Sequence, residues 1–546
     1  MMPSLFQKTD ILILPEGFLL PKCSKKILRQ KQIVEDKMMN RTQYAIKNAG
    51  FGILSKILSL LVSFVSRTVF IYVLGSVYLG VNGLYAEILS LLSFAELGFG
   101  SAMTFSMYRP VANNDREKIV KLLNFFKKIY SIIACVIAIL GLCLIPLLEH
   151  IIKGADWLSI NELRLYFLIF LFNTVVGYFV SYKFTYLNAL QQNYIQTNIE
   201  VIVTIVSNVA QIAVLLIFRN FLLFLIINSV VLLCSRVFIT IYLNKRYPIL
   251  KEKAAVPLSK EEKAPIYKEV KGLAVHQFAS AAVHSTDNIL ISVLTEQGVA
   301  AVGLISNYTM LINSVLGFVL ILFNSITSGF GNLVVASTTQ NFRKVFQEIN
   351  FANFWIYGFC CIAFWVLIPP FITLWIGADN LIDNTAFTLI IINCYLQGQS
   401  TAYHNARIAK GNFNKDKTWA LVQAIVNLVV SIVCAKKYGL VGIYIGTIVS
   451  RMVYVIFRPH STYTFLFGAK SIEYYKKLAM YFCEVIFAAL ITKWIVNLFL
   501  SDVTISNFIL GVLIVAVLPN LVFLILNCKS KEFKTWRQRL MIILDR

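Results

Sequence analysis

Apolar residues in this chain come in long, nearly unbroken runs, and polar residues gather in short clusters between them. Runs near 50–74, 79–106, 128–148, 162–187, 195–218 and 221–243 precede a polar stretch at 244–270. Further runs fall near 271–295, 302–327, 351–375, 385–406, 417–436, 439–459, 478–500 and 505–527. A helix rising about 1.5 Å per residue needs roughly 20 such residues to cross the hydrocarbon with its backbone hydrogen bonds closed internally. The pattern therefore predicts an all-α polytopic membrane protein with about fourteen transmembrane helices.

Basic residues supply a second reading of the same pattern, because positively charged loops stay cytoplasmic. With the N-terminus inside, the inner segments hold Lys8 to Lys47, Arg109 to Lys128, Lys245 to Lys271, Arg343 and Lys344. The later inner segments hold Arg407 to Lys417, Arg458 to Lys477 and Lys529 to Arg546. The other side shows Lys153, Arg219, Lys436 and Lys437, with Lys493 near a helix end. The alternation predicts that both termini are cytoplasmic. Composition agrees: 58% of the 546 residues are hydrophobic and 14% charged, against about a quarter charged in soluble domains. The net charge of +23 sits in short loops beside apolar spans, where anionic headgroups explain it better than nucleic acid does. The ten cysteines mostly fall inside spans without metal-ligand spacing and read as small core residues.

Organisation follows from the spans. Residues 1–38 contain Pro3, Pro15, Pro21 and apolar pieces too short to span. Met38 and Met39 make a more natural start, so 1–38 are expected to be a disordered extension. Residues 39–243 form a first lobe of six helices, 244–270 a basic cytoplasmic linker and 271–459 a second lobe of six. Residues 460–527 add two helices and 528–546 a basic tail, with Phe533, Trp536, Leu540 and Ile543 on one face as in an interfacial helix. An even helix count orients both lobes alike, as parallel repeats around a central cavity. Laid without gaps, 62–93 over 282–313 brings Arg67 opposite Asp287. No phosphate-binding glycine loop, zinc-spaced histidine pair or nucleophile elbow appears, and no cofactor or enzymatic reaction is expected.

Charges inside spans are costly and point to function. Lys56, Ser59, Ser63, Ser66 and Arg67 share an arc of about 100° on the first helix. His276, Ser280, His284 and Asp287 share about 80° on the seventh. Ser306, Asn307, Asn313, Ser314, Asn324, Ser325 and Ser328 share about 120° on the eighth. The stripes predict a water-filled cavity between the lobes. Arg67, helped by Lys56, suits a phosphate through charge-assisted hydrogen bonds, or else pairs with Asp287 or Glu96 to hold the lobes together. Asp287, His284 and His276 suit a coupling ion, H+ or Na+, or else satisfy one another. Glu87 and Glu96 lie about 180° apart on the second helix, so one at most faces a given cavity, and Glu96 is preferred. Lys183 and Glu200 are expected to snorkel to the inner surface.

The stretch SRTVFIYVLGSVYLGVNGLYAEILSLLSFAELGFGSAM, followed by MYRPVANNDREKIVKLLNFFKKIY, resembles the polysaccharide transporter branch of the MOP flippase superfamily, which includes O-antigen unit flippases. HSTDNILISVL in the second half is similar to that family's seventh-helix segment. The resemblance implies two six-helix bundles around a central cavity and alternating access for an undecaprenyl-diphosphate-linked oligosaccharide. Arg67, Glu96 and Asp287 occupy the matching positions. It implies membrane lipids and polysaccharide assembly proteins as partners. A multidrug or metabolite exporter, or a peptidoglycan-precursor flippase, would share the plan. A glycosyltransferase or polymerase fits less well, because the outer loops are too short to hold catalytic groups.

Overall fold

The computed structural model describes residues 56–96, 99–336, 338–410, 417–499 and 502–544, and the expected extension at 1–38 lies outside them. The chain divides into two units, 1–59 and 60–546. Among the described residues every regular element is a helix and no strand occurs. The first part comprises α1 (Lys56–Leu74), α2 (Ser76–Leu92), α3 (Phe99–Ala112), α4 (Arg116–Leu144), α5 (Leu148–Ile151), α6 (Ile160–Ala189), α7 (Asn193–Phe218) and α8 (Phe221–Arg246). The second comprises α9 (Lys260–Leu294), α10 (Val299–Ala336), α11 (Thr339–Ile376), α12 (Asn384–Gln399), α13 (Thr401–Ala409), α14 (Lys417–Met452) and α15 (Arg458–Phe467). Then come α16 (Ile472–Phe499), α17 (Ile505–Asn527) and α18 (Lys531–Leu544).

Ten of the described helices are long and apolar enough to cross a membrane, which makes this a multi-pass membrane protein. That measure does not reach fourteen, and the chain shows why. A 3₁₀ turn at Ser93–Glu96 breaks the second predicted run into α2 and α3, and Ser400 separates α12 from α13. The predicted runs 417–436 and 439–459 meet in α14 at a sharp kink on Gly439, where φ is 53° and ψ −128°, a conformation that suits glycine. The two limbs pack on each other, Ser431 Oγ donating to the Ile443 carbonyl at 3.2 Å, so one counted span covers two runs. Helix α9 begins at Lys260, inside the stretch expected to be a linker, and a Ser259–Glu262 capping box starts it there.

Helices of the first part pack chiefly on one another, as α4 on α6, α6 on α8 and α7 on α8. In the second part α14 lies along α9 and α12. The two parts meet where α2 packs against α9 and the start of α10. Backbones touch there because no side chain intervenes: a Cβ on Gly80 would lie 1.8 Å from the Val299 carbonyl oxygen, and one on Gly303 2.0 Å from that of Ser76. The neighbouring loop adds cross-links. The Val299 N–H donates to the Lys153 carbonyl (2.7 Å), Lys153 Nζ to the Val293 carbonyl (2.9 Å) and Ser292 Oγ to the Ile151 carbonyl (2.6 Å). The charge pattern of the sequence expects this end to be extracytoplasmic. Nearby, Trp375 stacks on Phe64 at 4.6 Å and its Nε1 donates to Thr68 Oγ1 (2.9 Å), which ties α11 to α1.

The opposite end is held by ion pairs: Arg116–Glu252, Lys118–Glu262, Arg343–Glu473 and Lys477–Glu532. The tail helix α18 is docked there. Phe533 and Trp536 pack against the core, and Trp536 Nε1 donates to the Glu348 carbonyl at 3.0 Å. Two of the four residues expected to face lipid are thus half-buried against protein; the side chains of Leu540 and Ile543 lie outside the described residues. Lys183 does not snorkel. It is 2% exposed, with Nζ on Asn244 Oδ1 at 2.9 Å, because Asn244 at the end of α8 meets it inside the bundle.

Gly80→Ala is expected to lower stability by about 1–3 kcal/mol through overpacking. Gly317→Ala, with nothing within 4 Å of the added Cβ, should be neutral or up to about 1 kcal/mol stabilising through helix propensity. Thermal unfolding of the detergent-solubilised protein reads both signs.

Candidate functional site: a polar cavity in the first bundle

The fifth and sixth predicted runs carry polar residues that composition hides. On α7, Thr204, Ser207, Asn208 and Gln211 follow i, i+3, i+4, i+7 spacing and so share one face. That face meets Asn173 and Thr174 of α6, Asn228 of α8, Asn82, Ser90 and Ser93 of α2, and Ser63, Ser66 and Arg67 of α1 around a cavity of about 720 Å³. Side chains satisfy one another across it. Ser207 Oγ donates to Asn228 Oδ1 (2.6 Å) and Asn208 Nδ2 to Ser63 Oγ (3.1 Å). Among the described residues, Met310 is the one lining residue from the second part. The described lining of this cavity thus comes mainly from the first bundle; of the stripes expected to line a cavity between the lobes, the side chains of His276, Ser280, His284, Asn324, Ser325 and Ser328 lie outside the described residues.

Arg67 stands at its wall. Its Nε donates to Asn307 Oδ1 at 3.0 Å and an Nη to Ser306 Oγ, so α10 holds the guanidinium through two neutral acceptors. Among the described residues it makes no ion pair with Asp287 or Glu96, and its other Nη makes no hydrogen bond. Asn307 is fully buried and its Nδ2 also lacks an acceptor. Arg67 and Asn307 thus leave donors without acceptors beside a polar cavity, a combination suited to an anion.

Glu96 faces a second cavity of about 770 Å³, lined also by Thr104, Tyr108, Tyr130, Ser181, Thr185, Asn188, Asn193 and Gln196. The hydroxyls of Tyr178 and Tyr130 face its carboxylate. Ser93 lines the first cavity and Glu96 the second, so the 3₁₀ turn between α2 and α3 stands between the two. Glu87 points elsewhere, to Ser285 on α9, as a 180° separation on one helix requires.

Asp287 occupies a third place, between α9 and α14. Its Oδ2 accepts from Thr447 Oγ1 at 3.0 Å, while its buried Oδ1 has no partner. Asn427 closes the cluster, donating towards Thr447 Oγ1 and Ser450 Oγ, each at 3.4 Å, and accepting from Thr286 Oγ1 at 3.3 Å. One carboxylate with hydroxyl and amide oxygens around it is the hard-oxygen chemistry of a proton or small-cation site. The remaining expected residues are scattered. Lys56 is exposed and belongs to the unit 1–59, and Asn313 is exposed on α10. The side chains of His276 and His284 lie outside the described residues. The α7 stripe, Asn427, Thr447 and the buried Arg451 of α14 were missed. The α7 stripe was legible by the same helical spacing that singled out the first helix.

No protein-family model and no curated protein matches the chain. Solved structures do. A lipid II flippase MurJ in an inward closed conformation superimposes with TM-score 0.61 at 14% identity, covering 87% of this chain and 98% of that one. An inward-facing multidrug resistance MATE family transporter of the MOP superfamily gives 0.57 at 15%, covering 73% and 92%. The Vibrio cholerae MATE transporter VcmN in the bent form gives 0.51 at 15%, covering 77% and 96%. At such identities these likenesses establish a shared fold.

Asn307→Leu removes an acceptor from Arg67 within the bundle and is expected to cost about 2–3 kcal/mol. Asn313→Leu, on an exposed face of the same helix, should be neutral. Chemical or thermal unfolding in mild detergent distinguishes them.

Proposed function

We propose that this protein is a flippase that carries an undecaprenyl-diphosphate-linked oligosaccharide across the bacterial cytoplasmic membrane by alternating access, for surface polysaccharide synthesis. The observation that carries the reading is Arg67, a cation held by neutral oxygens with a donor to spare, at the wall of a cavity lined by amides and hydroxyls. Its guanidinium takes a phosphate oxygen of the diphosphate, and Lys56 adds positive charge nearer the cytoplasm. Asn82, Asn173, Asn208 and Asn228 replace water around the sugar hydroxyls. The isoprenoid remains in lipid.

The fold shared with a lipid II flippase and with MATE transporters supports transport over chemistry. Glu96, Asp287, Asn307 and Asn313, with His276 and His284, complete the proposed set, with Asp287 as the site of a coupling H+ or Na+. No cofactor is proposed; membrane lipids and polysaccharide assembly proteins are the proposed partners. A peptidoglycan-precursor flippase would use the same diphosphate contact and would make the gene essential. A drug exporter is favoured less, because the 720 Å³ cavity is dressed with amides and hydroxyls where an amphiphile needs an apolar surface.

In cells lacking the protein, isoprenoid-diphosphate-linked glycan should accumulate where an impermeant glycan-modifying reagent, applied to intact spheroplasts, does not reach it. The intact gene should restore labelling. Arg67→Ala should lower it by roughly ten- to a hundredfold, the worth of about 1.5–3 kcal/mol of charge-assisted hydrogen bonding, and Arg67→Lys by less. Unchanged labelling without the protein, in a strain with no other flippase, overturns the reading.

A further inference from the structure

Arg451 has no role in the account so far, and its surroundings are unusual for a charged group. It is 5% exposed in the second bundle. Its Nε donates to Asn393 Oδ1 (3.1 Å) and an Nη to Gln397 Oε1 (3.4 Å), both on α12. These neutral oxygens position the guanidinium without cancelling its charge. One helical turn earlier on α14, about 6 Å along the axis, Thr447 donates to Asp287. The cluster therefore holds one buried cation and one carboxylate with a partnerless oxygen, each restrained by neutral groups, with no ion pair joining them. They stand near enough for each to feel the other's charge. Among the described residues, the other titratable groups facing Asp287 are Glu87 on α2 and Tyr444 on α14; those facing Arg451 are Tyr454, Cys394 and Arg458.

We propose that Arg451 is a tethered counter-cation for Asp287, balancing the carboxylate when no transported cation is bound and yielding it when one binds. This rests on the reading of Asp287 as the coupling site. Electroneutrality is the driving force. An uncompensated carboxylate inside a helix bundle is expensive, so with Arg451 fixed beside it the empty site is tolerable and the bound cation is kept from binding too tightly to leave. The element following Arg451 suits such an exchange. Residues Val453–Phe457 form a π-turn, wound looser than the α-helix on either side, and give α14 slack to turn its arginine towards or away from α9. Glu87 brings a second negative charge from α2, the helix that seals the seam between the two halves. Cation occupancy at Asp287 is thereby linked electrostatically to that seam.

The test is thermal unfolding of the purified full-length protein in lipid nanodiscs, titrated with NaCl against a choline chloride background and, separately, with pH. A cation bound by the folded state raises the midpoint along a saturation curve. The unmodified protein should show one for Na+ or for H+, and Asp287→Asn should abolish it. Arg451→Gln should shift half-saturation to about tenfold lower cation concentration, because a repelling charge has gone, and Arg451→Lys should stay close to the unmodified protein. An Arg451→Gln curve that coincides with the unmodified one overturns the counter-cation role while leaving Asp287 as the site. Absence of any cation response, or its survival in Asp287→Asn, overturns the coupling reading and this proposal with it. Should Arg451→Gln accumulate poorly, the double variant Asp287→Asn/Arg451→Gln decides. Recovery of stability on neutralising both shows that the two charges balance each other, and simple addition of the two losses contradicts it.

Discussion

Hydrocarbon offers no hydrogen bonds, so polar atoms placed at depth in this protein bond within their own helix, as Thr68 Oγ1 does to the Phe64 carbonyl, or across a helix–helix seam. The most consequential of these contacts joins Arg67 on α1 to Ser306 and Asn307 on α10. Hydroxyl and amide oxygens lower the cost of burying a guanidinium but leave its charge in place. A carboxylate partner would have cancelled it, and breaking such a pair costs about 3–5 kcal/mol. Neutral partners therefore keep the charge available to a ligand. Asp287 with Thr447 follows the same rule with the opposite sign.

The two ends of the molecule are closed by different forces. At one end backbones of α2 and α10 touch through Gly80 and Gly303, and loop carbonyls and amides bond across. Such a seam is close-packed and tolerates no added atom. At the other end the ion pair that joins the two parts, among the described residues, is Lys118–Glu262, with side chains 29% and 30% exposed, and pairs near the surface contribute about 0–1 kcal/mol each. The ends are unequal in strength, and the weaker is the one from which a cytoplasmic substrate enters under the proposed function.

Much of the helical architecture was legible because its signal is additive: about twenty apolar residues in a row outweigh local detail. The 3₁₀ turn at Ser93–Glu96 was not, since it interrupts a single long apolar run, whereas the kink at Gly439 falls where the runs 417–436 and 439–459 meet. Arg67 and Asp287 stood out because charge at depth is rare. Their partners did not: helical arcs locate a residue around its own axis but carry no information on the facing helix. Arg67 accordingly met Ser306 and Asn307, where charge complementarity alone suggested Asp287 or Glu96. The stripe of Thr204, Ser207, Asn208 and Gln211 went unread for a related reason, as it contains no charge to draw attention.

The central claim is that a fixed cation beside an uncharged polar chamber selects a lipid diphosphate bearing sugars. Purified protein reconstituted in vesicles with an isoprenoid-diphosphate-linked oligosaccharide tests it most directly, by following the glycan pool open to an impermeant glycosidase. The account predicts that protein renders the inner-leaflet pool accessible, that Arg67→Ala largely removes this, and that the same lipid carrying no glycan competes weakly. Transport of a soluble cationic amphiphile by the same vesicles, with the glycan-lipid left in its original leaflet, would contradict it.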